Sequence, residues 1–425
     1  MEGRNSIRWS KVRLMQDFPI AAVRARFPAL ARQVKGEPAV YFDAPGGTAA
    51  CDTAIEGVAA RMRLGSAHPG GPFASSLETE TLCAEAQAAM ADLLGAQPHE
   101  IAFGPNMTSL TFAVSRALAR EWGMGDELIV TRLDHDANVA PWLQVAEDRA
   151  MTVRWLDFDP ATGRWRLDDL AKLLTPKTRL VALGMASNAL GTVNPIAEAA
   201  KLIRANTNAL IYVDAVQSVP HLVTDVAALG ADFLACSPYK FFGPHQGVLW
   251  MDQRLDERVR AYKVRPAGNE GAHRFETGTP SFEGQAGVSG MVDYLDWLGG
   301  QVDPGANSRR QRLIAAMTAS SAYERFLGEH LLAGLASIPG LKLWGPPTMD
   351  GRVPTFSFTI DGHAAQQISE HLAARGIFAW AGNFYAVEAV ERLGLADAGG
   401  LLRVGLCHYS TSEEIDRLIA ALRDL

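Results

Sequence analysis

The chain has 425 residues, of which 48% are hydrophobic and 20% charged, and a formal net charge of −7. That length exceeds what one hydrophobic core fills, so a large and a smaller domain are expected; the negative balance and the lack of a basic stripe exclude an electrostatic footprint for nucleic acid. The four cysteines, Cys51, Cys83, Cys236 and Cys407, stand apart with no CxxC pair and no Cys/His cluster, which argues against a disulfide scaffold or a metal site and fits a reducing cytoplasm.

The first fourteen residues carry Arg4, Arg8, Lys11 and Arg13 without a continuous apolar run, so they read as neither a signal peptide nor a membrane span. They are expected to be a tag, an upstream start before Met15, or a loose arm. From residue 98 to residue 252 short apolar runs alternate with helical patterns, the signature of βα units that build a mostly parallel sheet. Seven strands are predicted, at 101–103, 128–131, 151–157, 179–184, 209–214, 232–236 and 248–251, each rich in Val, Ile, Leu or aromatic residues. Such sheets bind ligands at the carboxyl ends of their strands. Further on, the pattern predicts a long helix through 313–335, a strand at 353–360, a helix near 364–375, a strand around 401–406 and a closing helix at 412–425, with Thr411 or Ser412 as its N-cap. The expected division is an arm and first helix over 1–30 packing on the small domain, a large α/β domain over 31–295, and a small α/β domain over 296–425.

Five loops between these elements carry candidate chemistry. Ser237-Pro238-Tyr239-Lys240 follows a buried strand and sets a lysine among apolar and aromatic neighbours; desolvation lowers proton affinity, and only the neutral amine attacks an aldehyde. Taken alone, the tetrapeptide reads sooner as a solvated turn lysine. Asp214 ends the strand at 209–214, with Gln217 three residues on. A carboxylate there either faces the ligand crevice, where it favours a protonated pyridine nitrogen, or caps the next helix. Asn106, Met107 and Thr108 open a helix whose first amide groups suit a phosphate, though an ordinary N-cap is the commoner meaning. His135, just past the strand at 128–131, is placed to stack on a cofactor ring or move protons, with a surface loop histidine as the plain alternative. Asn188 occupies the equivalent position after the strand at 179–184. The five loops follow strands of one sheet, so one crevice can gather them all.

The order of motifs resembles the class V aminotransferase family of fold-type I pyridoxal-phosphate enzymes, in the branch of cysteine desulfurases and selenocysteine lyases. The likeness runs along nearly the whole chain. It is carried by Tyr41-Phe42-Asp43, Asn106-Met107-Thr108, His135-Asp136-Ala137-Asn138, Ser187-Asn188-Ala189-Leu190-Gly191, Asp214-Ala215-Val216-Gln217, Ser237-Pro238-Tyr239-Lys240, Phe275-Glu276-Thr277-Gly278-Thr279-Pro280 and Leu402-Arg403-Val404. It implies that Lys240 is the Schiff-base lysine of a pyridoxal 5'-phosphate cofactor, that Asp214 pairs with the pyridinium nitrogen, that Gln217 contacts the phenolic oxygen and that His135 stacks on the ring. Ser237 and Tyr239 would hold the phosphate, Thr279 would reach the phosphate in a neighbouring subunit of a homodimer, and Arg403 would clamp the substrate carboxylate, a task suited to its planar guanidinium.

Two departures from the desulfurase pattern stand out. The stretch from Gly376 to Leu393, where desulfurases carry a nucleophilic cysteine, contains none, which puts persulfide relay in doubt; Cys236 and Cys407 read as small core residues. Tyr239 also stands where desulfurases usually place histidine before the lysine. The expectation is a lyase-like reaction on a small, sulfur-containing amino acid, with a true aminotransferase and a non-catalytic scaffold as rivals. His68, Phe73, Trp380, Asn383 and Tyr385 are expected to line the substrate space from loop position alone, with Asn383 and Asn188 beside Arg403 as substrate contacts.

Overall fold

Seven strands form one sheet in the computed structural model, which describes residues 18–425: β1 Ile101–Gly104, β2 Glu127–Thr131, β3 Thr152–Leu156, β4 Thr178–Gly184, β5 Leu210–Asp214, β6 Phe233–Cys236 and β7 Gly247–Met251. Their spatial order is β1-β7-β6-β5-β4-β2-β3. Only β7 runs against its neighbours; the other pairings are parallel. Strands β2, β5, β6 and β7 are buried along their whole length, as expected of a sheet covered on both faces, and this is why they appear in the sequence as unbroken apolar runs. All seven predicted strands are present. The reading of the first fourteen residues as an arm lies outside the described residues.

Long helices cover the sheet: α1 Asp52–Leu64, α2 Ala74–Leu94, α3 Met107–Leu118, α4 Phe282–Val302 and α5 Arg309–Leu335. Glycines let α4 lie close on α1, where Thr53 Oγ1 donates to the Gly290 carbonyl at 2.6 Å and a Cβ on Gly290 would collide with the Thr53 carbonyl. Residue 295, where the sequence pattern changes, falls inside α4.

A second, antiparallel sheet has the order β8-β9-β11-β10, with β8 Leu341–Trp344, β9 Thr355–Ile360, β10 Trp380–Gly382 and β11 Leu401–Gly405. The closing helix α6, Ser412–Arg423, begins with the expected Thr411 cap, whose hydroxyl accepts from the Glu414 amide while Glu414 reaches back to the Thr411 amide. Residues near the start of the described chain lie against this region: Phe18 stacks on Tyr323 at 4.4 Å and Arg24 pairs with Glu414 at 2.9 Å. The short strand Val40–Tyr41 then pairs in parallel with Ile377–Phe378. The chain crosses at Asp43 to Gly46 from the second sheet toward the first, with Asp43 bridged to Gly405. That crossing brings the Pro45 and Gly46 carbonyls to the loop that bears Lys240.

A buried polar chain links the layers. His221 Nδ1 lies 2.9 Å from Glu324 Oε2 on α5, Glu324 Oε1 lies 4.0 Å from His408 Nδ1, and His408 Nε2 lies 2.7 Å from the Tyr294 hydroxyl on α4. Among the described residues no helix is long and apolar enough to cross a membrane.

Candidate active site

Two adjoining cavities, of about 600 and 1070 Å³, open at the carboxyl ends of the parallel strands. They share Thr108, Phe112, His135, Ala137, Asn188, Tyr239 and Lys240. The inner one also holds Asn106, Met107, Asp214, Gln217 and Ser237; the outer one holds Arg403 and the loop from Trp380 to Tyr385. Strand-end geometry therefore gathers the loops into one crevice, as the alternation of strands and helices implied.

Lys240 follows β6 through a short 3-10 turn, Pro238–Lys240. Its Nζ donates to the carbonyls of Pro45 at 2.6 Å and Gly46 at 2.9 Å. Burial first and then the Arg403 charge lower its proton affinity, Asp214 opposes both, and the outcome is about 7. An appreciable fraction is thus the neutral amine near pH 7, which a solvated turn lysine would not show.

Asp214 is buried at the end of β5, and burial pushes its carboxyl up to about 6 against the hydrogen bond from the Val216 amide and the Lys240 charge. Its Oδ1 accepts from the Val216 amide at 2.9 Å within a turn; the next helix begins only at Val226, so Asp214 caps no helix, and it lines the inner cavity. Gln217 is buried and donates to the Pro45 carbonyl at 2.7 Å.

At the start of α3 the plain reading of Asn106 holds in part. Its side-chain oxygen caps the helix by accepting from the Ser109 amide at 2.8 Å, and Asn106 also lines the inner cavity. The Met107 amide donates to Ser237 Oγ at 3.1 Å, which joins the helix start to the lysine loop, and the Met107 side chain is buried in the core. Thr108 lines both cavities. The Tyr239 ring stacks on His245 at 4.7 Å.

His135 is half-buried, and its Nδ1 accepts from the Ala137 amide at 3.0 Å. Burial, then the Lys240 and Arg403 charges, push it down to about 4, so the ring is neutral at pH 7. It stacks on Tyr385 at 5.6 Å. Asn188 donates from Nδ2 to the Phe384 carbonyl at 2.8 Å, while its Oδ1 is buried without a partner.

Arg403 lies on β11 and is 5% exposed. Its guanidinium sits 4.2 Å over the Phe384 ring and donates to the Asn188 carbonyl at 2.9 Å. Its Nε has no partner, and among the described residues no carboxylate lies within 4.0 Å of it. Burial lowers its proton affinity to about 9, with Asp43 opposing.

Of the residues expected around the substrate, Trp380, Asn383 and Tyr385 line the outer cavity. Asn383 uses its side-chain oxygen to accept from the Tyr385 amide at 3.0 Å. His68, Phe73 and Thr279 do not line either cavity within one chain; His68 and Thr279 meet each other at 3.5 Å, and Phe73 is exposed. None of the four cysteines lines the cavities, and burial raises the thiols of Cys51, Cys236 and Cys407.

Sequence reasoning passed over Asp134, which lines the inner cavity beside His135. Its carboxylate accepts from Thr131 Oγ1 at 2.7 Å and Asn138 Nδ2 at 2.8 Å, and burial raises it to about 7, helped by the Asp214 charge. A Cβ on Gly184 would come within 2.7 Å of Asp134 Oδ1, so the glycine that ends β4 makes room for it. The available signal was that Asp134, like Asp214, is an acid just past a strand end.

The family model for Aminotransferase class-V matches residues 40–418. The chain belongs to that family. It is 32% identical over 409 residues to the uncharacterized protein MT3887 of Mycobacterium tuberculosis, across 96% of this chain and 99% of the relative. It is 31% identical over 423 residues to a cysteine desulfurase of Yersinia pseudotuberculosis, across 96% and 98%. The fold matches the apo cysteine desulfurase of Thermococcus onnurineus with a TM-score of 0.83, at 22% identity, over 96% and 98% of the two chains. This class V chain is a pyridoxal-phosphate enzyme of the cysteine desulfurase-like branch, with the fold-type I architecture. The residues present fit that cofactor: a partly neutral lysine, a buried acid at a strand end, a helix start tied to the lysine loop, and two buried polar atoms, Asn188 Oδ1 and Arg403 Nε, without partners.

Proposed function

We propose that this enzyme breaks the Cβ–S bond, or a closely related β-bond, of an α-amino acid. The observation that carries the reading is the buried Arg403, which among the described residues has no carboxylate within 4.0 Å, set in the same crevice as the partly neutral Lys240. A buried guanidinium is costly unless an anion meets it, and its planar fork suits a carboxylate. Lys240 would hold the cofactor, Asp214 its ring nitrogen, Gln217 its phenolic oxygen, and Thr108, Ser237 and Tyr239 its phosphate, with His135 against the ring. When bound, pyridoxal phosphate supplies the electron sink that makes a proton at the substrate α-carbon removable.

The protein's own part follows from its side chains. Arg403 and Asn188 orient the carboxylate, Lys240 Nζ takes the α-proton as a base whose affinity lies close to working pH, and neutral His135 adds no competing positive charge. The lack of a cysteine in the 376–393 loop and the burial of Cys236 and Cys407 support release of sulfur directly from the substrate rather than through a relay on the protein. A homodimer accompanies this reading. Ile55, Met62 and Leu64 on α1, with Phe73 and Leu77, leave large apolar side chains exposed, and Thr279 would serve the neighbouring subunit's phosphate. The setting is the cytoplasm, in keeping with four free cysteines.

A panel of amino acids assayed together for sulfide, thiol, alanine, ammonia and keto acid tests the reaction. Equal amounts of ammonia, keto acid and a sulfur product support the lyase. Conversion of the cofactor to its amine form, with the substrate's own keto acid as product, replaces it with an aminotransferase.

A further inference from the structure

We propose that the substrate is an S-substituted cysteine whose sulfur carries a bulky apolar group, seated against the wall formed by Trp380, Phe384, Tyr385, Val387 and Val390. This rests on the amino-acid reading of the site and adds the side chain to it.

The outer cavity, about 1070 Å³, is far larger than a cysteine side chain requires. Its wall is built from the Arg403 position outward. Trp380 pairs directly with Arg403 across β10 and β11, and its indole nitrogen would lie 2.9 Å from a Cβ on Gly46, whose carbonyl accepts from Lys240. The indole is thus next to both groups that anchor an α-amino acid. Phe384 lies under the guanidinium and Tyr385 against His135. Both adopt a left-handed backbone, at φ 57° and 58°, a conformation that costs non-glycine residues energy. The loop is held in it by Asn188, which binds the Phe384 carbonyl, and by the Asp136 amide, which binds the Tyr385 carbonyl at 2.7 Å. The surrounding structure therefore fixes two aromatic rings at the crevice. Trp380, Tyr385 and Val387 remain 56%, 71% and 36% exposed within one chain, so apolar surface is left for a ligand to cover.

The charges of the lining point the same way. Among the described residues, Lys240 and Arg403 are its only lysine and arginine, and Asp136 and Glu391 are its other charged side chains. A second carboxylate on the substrate side chain would find no cation of its own and two acids nearby. An uncharged apolar substituent meets neither penalty.

The chemistry needs no cysteine on the protein. Lys240 removes the α-proton, the Cβ–S bond breaks, and the electron pair leaves with sulfur as a thiolate that takes up a proton. The remaining aminoacrylate reacts with water, giving one thiol, one pyruvate and one ammonium ion for each substrate and water consumed. An S-substituted sulfur is already a leaving group, so no sulfur acceptor is required.

The test uses two readouts on the holoenzyme. In turnover, S-benzyl-L-cysteine should yield thiol and pyruvate in equal amounts, with kcat/KM at least about tenfold above that of S-methyl-L-cysteine, a difference of about 1.4 kcal/mol. Trp380→Ala and Tyr385→Ala, both at exposed positions, should each shrink that ratio severalfold. In binding, 3-(benzylthio)propanoate, which lacks the amine, should raise the Tm of borohydride-reduced enzyme more than 3-(methylthio)propanoate does, and Trp380→Ala should erase the difference. Equal turnover and equal binding of the benzyl and methyl compounds would overturn the apolar wall while leaving the Arg403 seat intact. Failure of both carboxylates to bind, in wild type as in Arg403→Ala, would sink the seat and the wall together.

Discussion

Lys240 and Gln217 donate to one and the same oxygen, the Pro45 carbonyl, at 2.6 and 2.7 Å. The amine that must attack an aldehyde is therefore held by the segment crossing between the two sheets, and its protonation decides when it can let go. Its affinity of about 7 is set by burial first, then lowered by Arg403 and raised by Asp214. The rate at which apoprotein takes up pyridoxal phosphate, followed by visible absorbance, should thus rise with pH around a midpoint near 7. Asp214→Asn should move the midpoint down and Arg403→Ala should move it up. A rate that stays flat across that range, or midpoints that move the opposite way, would contradict this account of Lys240; Lys240→Ala should develop no borohydride-fixable colour at all.

Arg403→Ala should weaken carboxylate substrates by about 2–5 kcal/mol while leaving the visible spectrum of the bound cofactor in place. Arg403→Lys should recover only part of the loss, because a point charge lacks the two-pronged fork. Steady-state kinetics beside an absorption spectrum separates the effects. Unchanged kinetics in the alanine variant would remove Arg403 from substrate binding.

The seven strands of the large sheet were legible because each is an apolar run closed by turn residues, and parallel strands covered on both faces leave little else in the sequence. Their common carboxyl-end edge then placed Lys240, Asp214, His135 and Asn188 in one crevice without any structure. Strands Leu341–Trp344 and Trp380–Gly382 were not legible, since both are short and only half-buried or exposed, so neither shows the unbroken apolar run that marks the equally short but buried Phe233–Cys236. The Pro45 and Gly46 carbonyls were invisible for a different reason: a backbone acceptor has no side-chain signature, and its role depends on the chain crossing between sheets. Asp134 was overlooked because its partners, Thr131, Asn138 and the close approach of Gly184, reveal its burial only in three dimensions. His68 and Phe73 were chosen by loop position, and position in one chain leaves both outside the cavities.

Asp134 and Asp214 give the apoprotein a pH signature. Both folded values, about 7 and about 6, lie above the ordinary 3.8, so between about pH 4 and about pH 7 the folded state holds more protons than the unfolded one. Stability from these groups should accordingly fall as pH rises through that window, by up to about 1.4 kcal/mol per pH unit for each fully differential proton. Asp134→Asn should flatten the fall. The new amide can still accept from Thr131, and Asn138 can turn to face it at the expense of a long 3.4 Å bond from Trp142. Urea unfolding of wild-type and variant apoprotein at pH 5 and pH 7 measures the effect, and parallel curves would show that Asp134 is ionised throughout.

Glu324 ties together the segments that follow the two halves of the site. His221 lies four residues beyond Gln217, His408 five beyond Arg403, and Glu324 on α5 meets the first at 2.9 Å and approaches the second at 4.0 Å. The carboxylate is 1% exposed, and burial raises its proton affinity, with His221 opposing. Burial also lowers His408 to about 3, so at neutral pH His408 is uncharged and the carboxylate leans on His221. Removing one partner from such a buried cluster is expensive, and Glu324→Ala should lower the unfolding free energy by about 3–5 kcal/mol. Asp416→Ala provides the contrast: at 2.8 Å its contact with His330 is as short as that of Glu324 with His221 but lies at the surface, and its loss should cost less than about 1 kcal/mol. Denaturant curves on the two variants decide the matter. Equal small losses would mean that the Glu324 cluster gives back in desolvation what it gains in pairing, and that the Gln217 and Arg403 segments are held in place by their apolar neighbours instead.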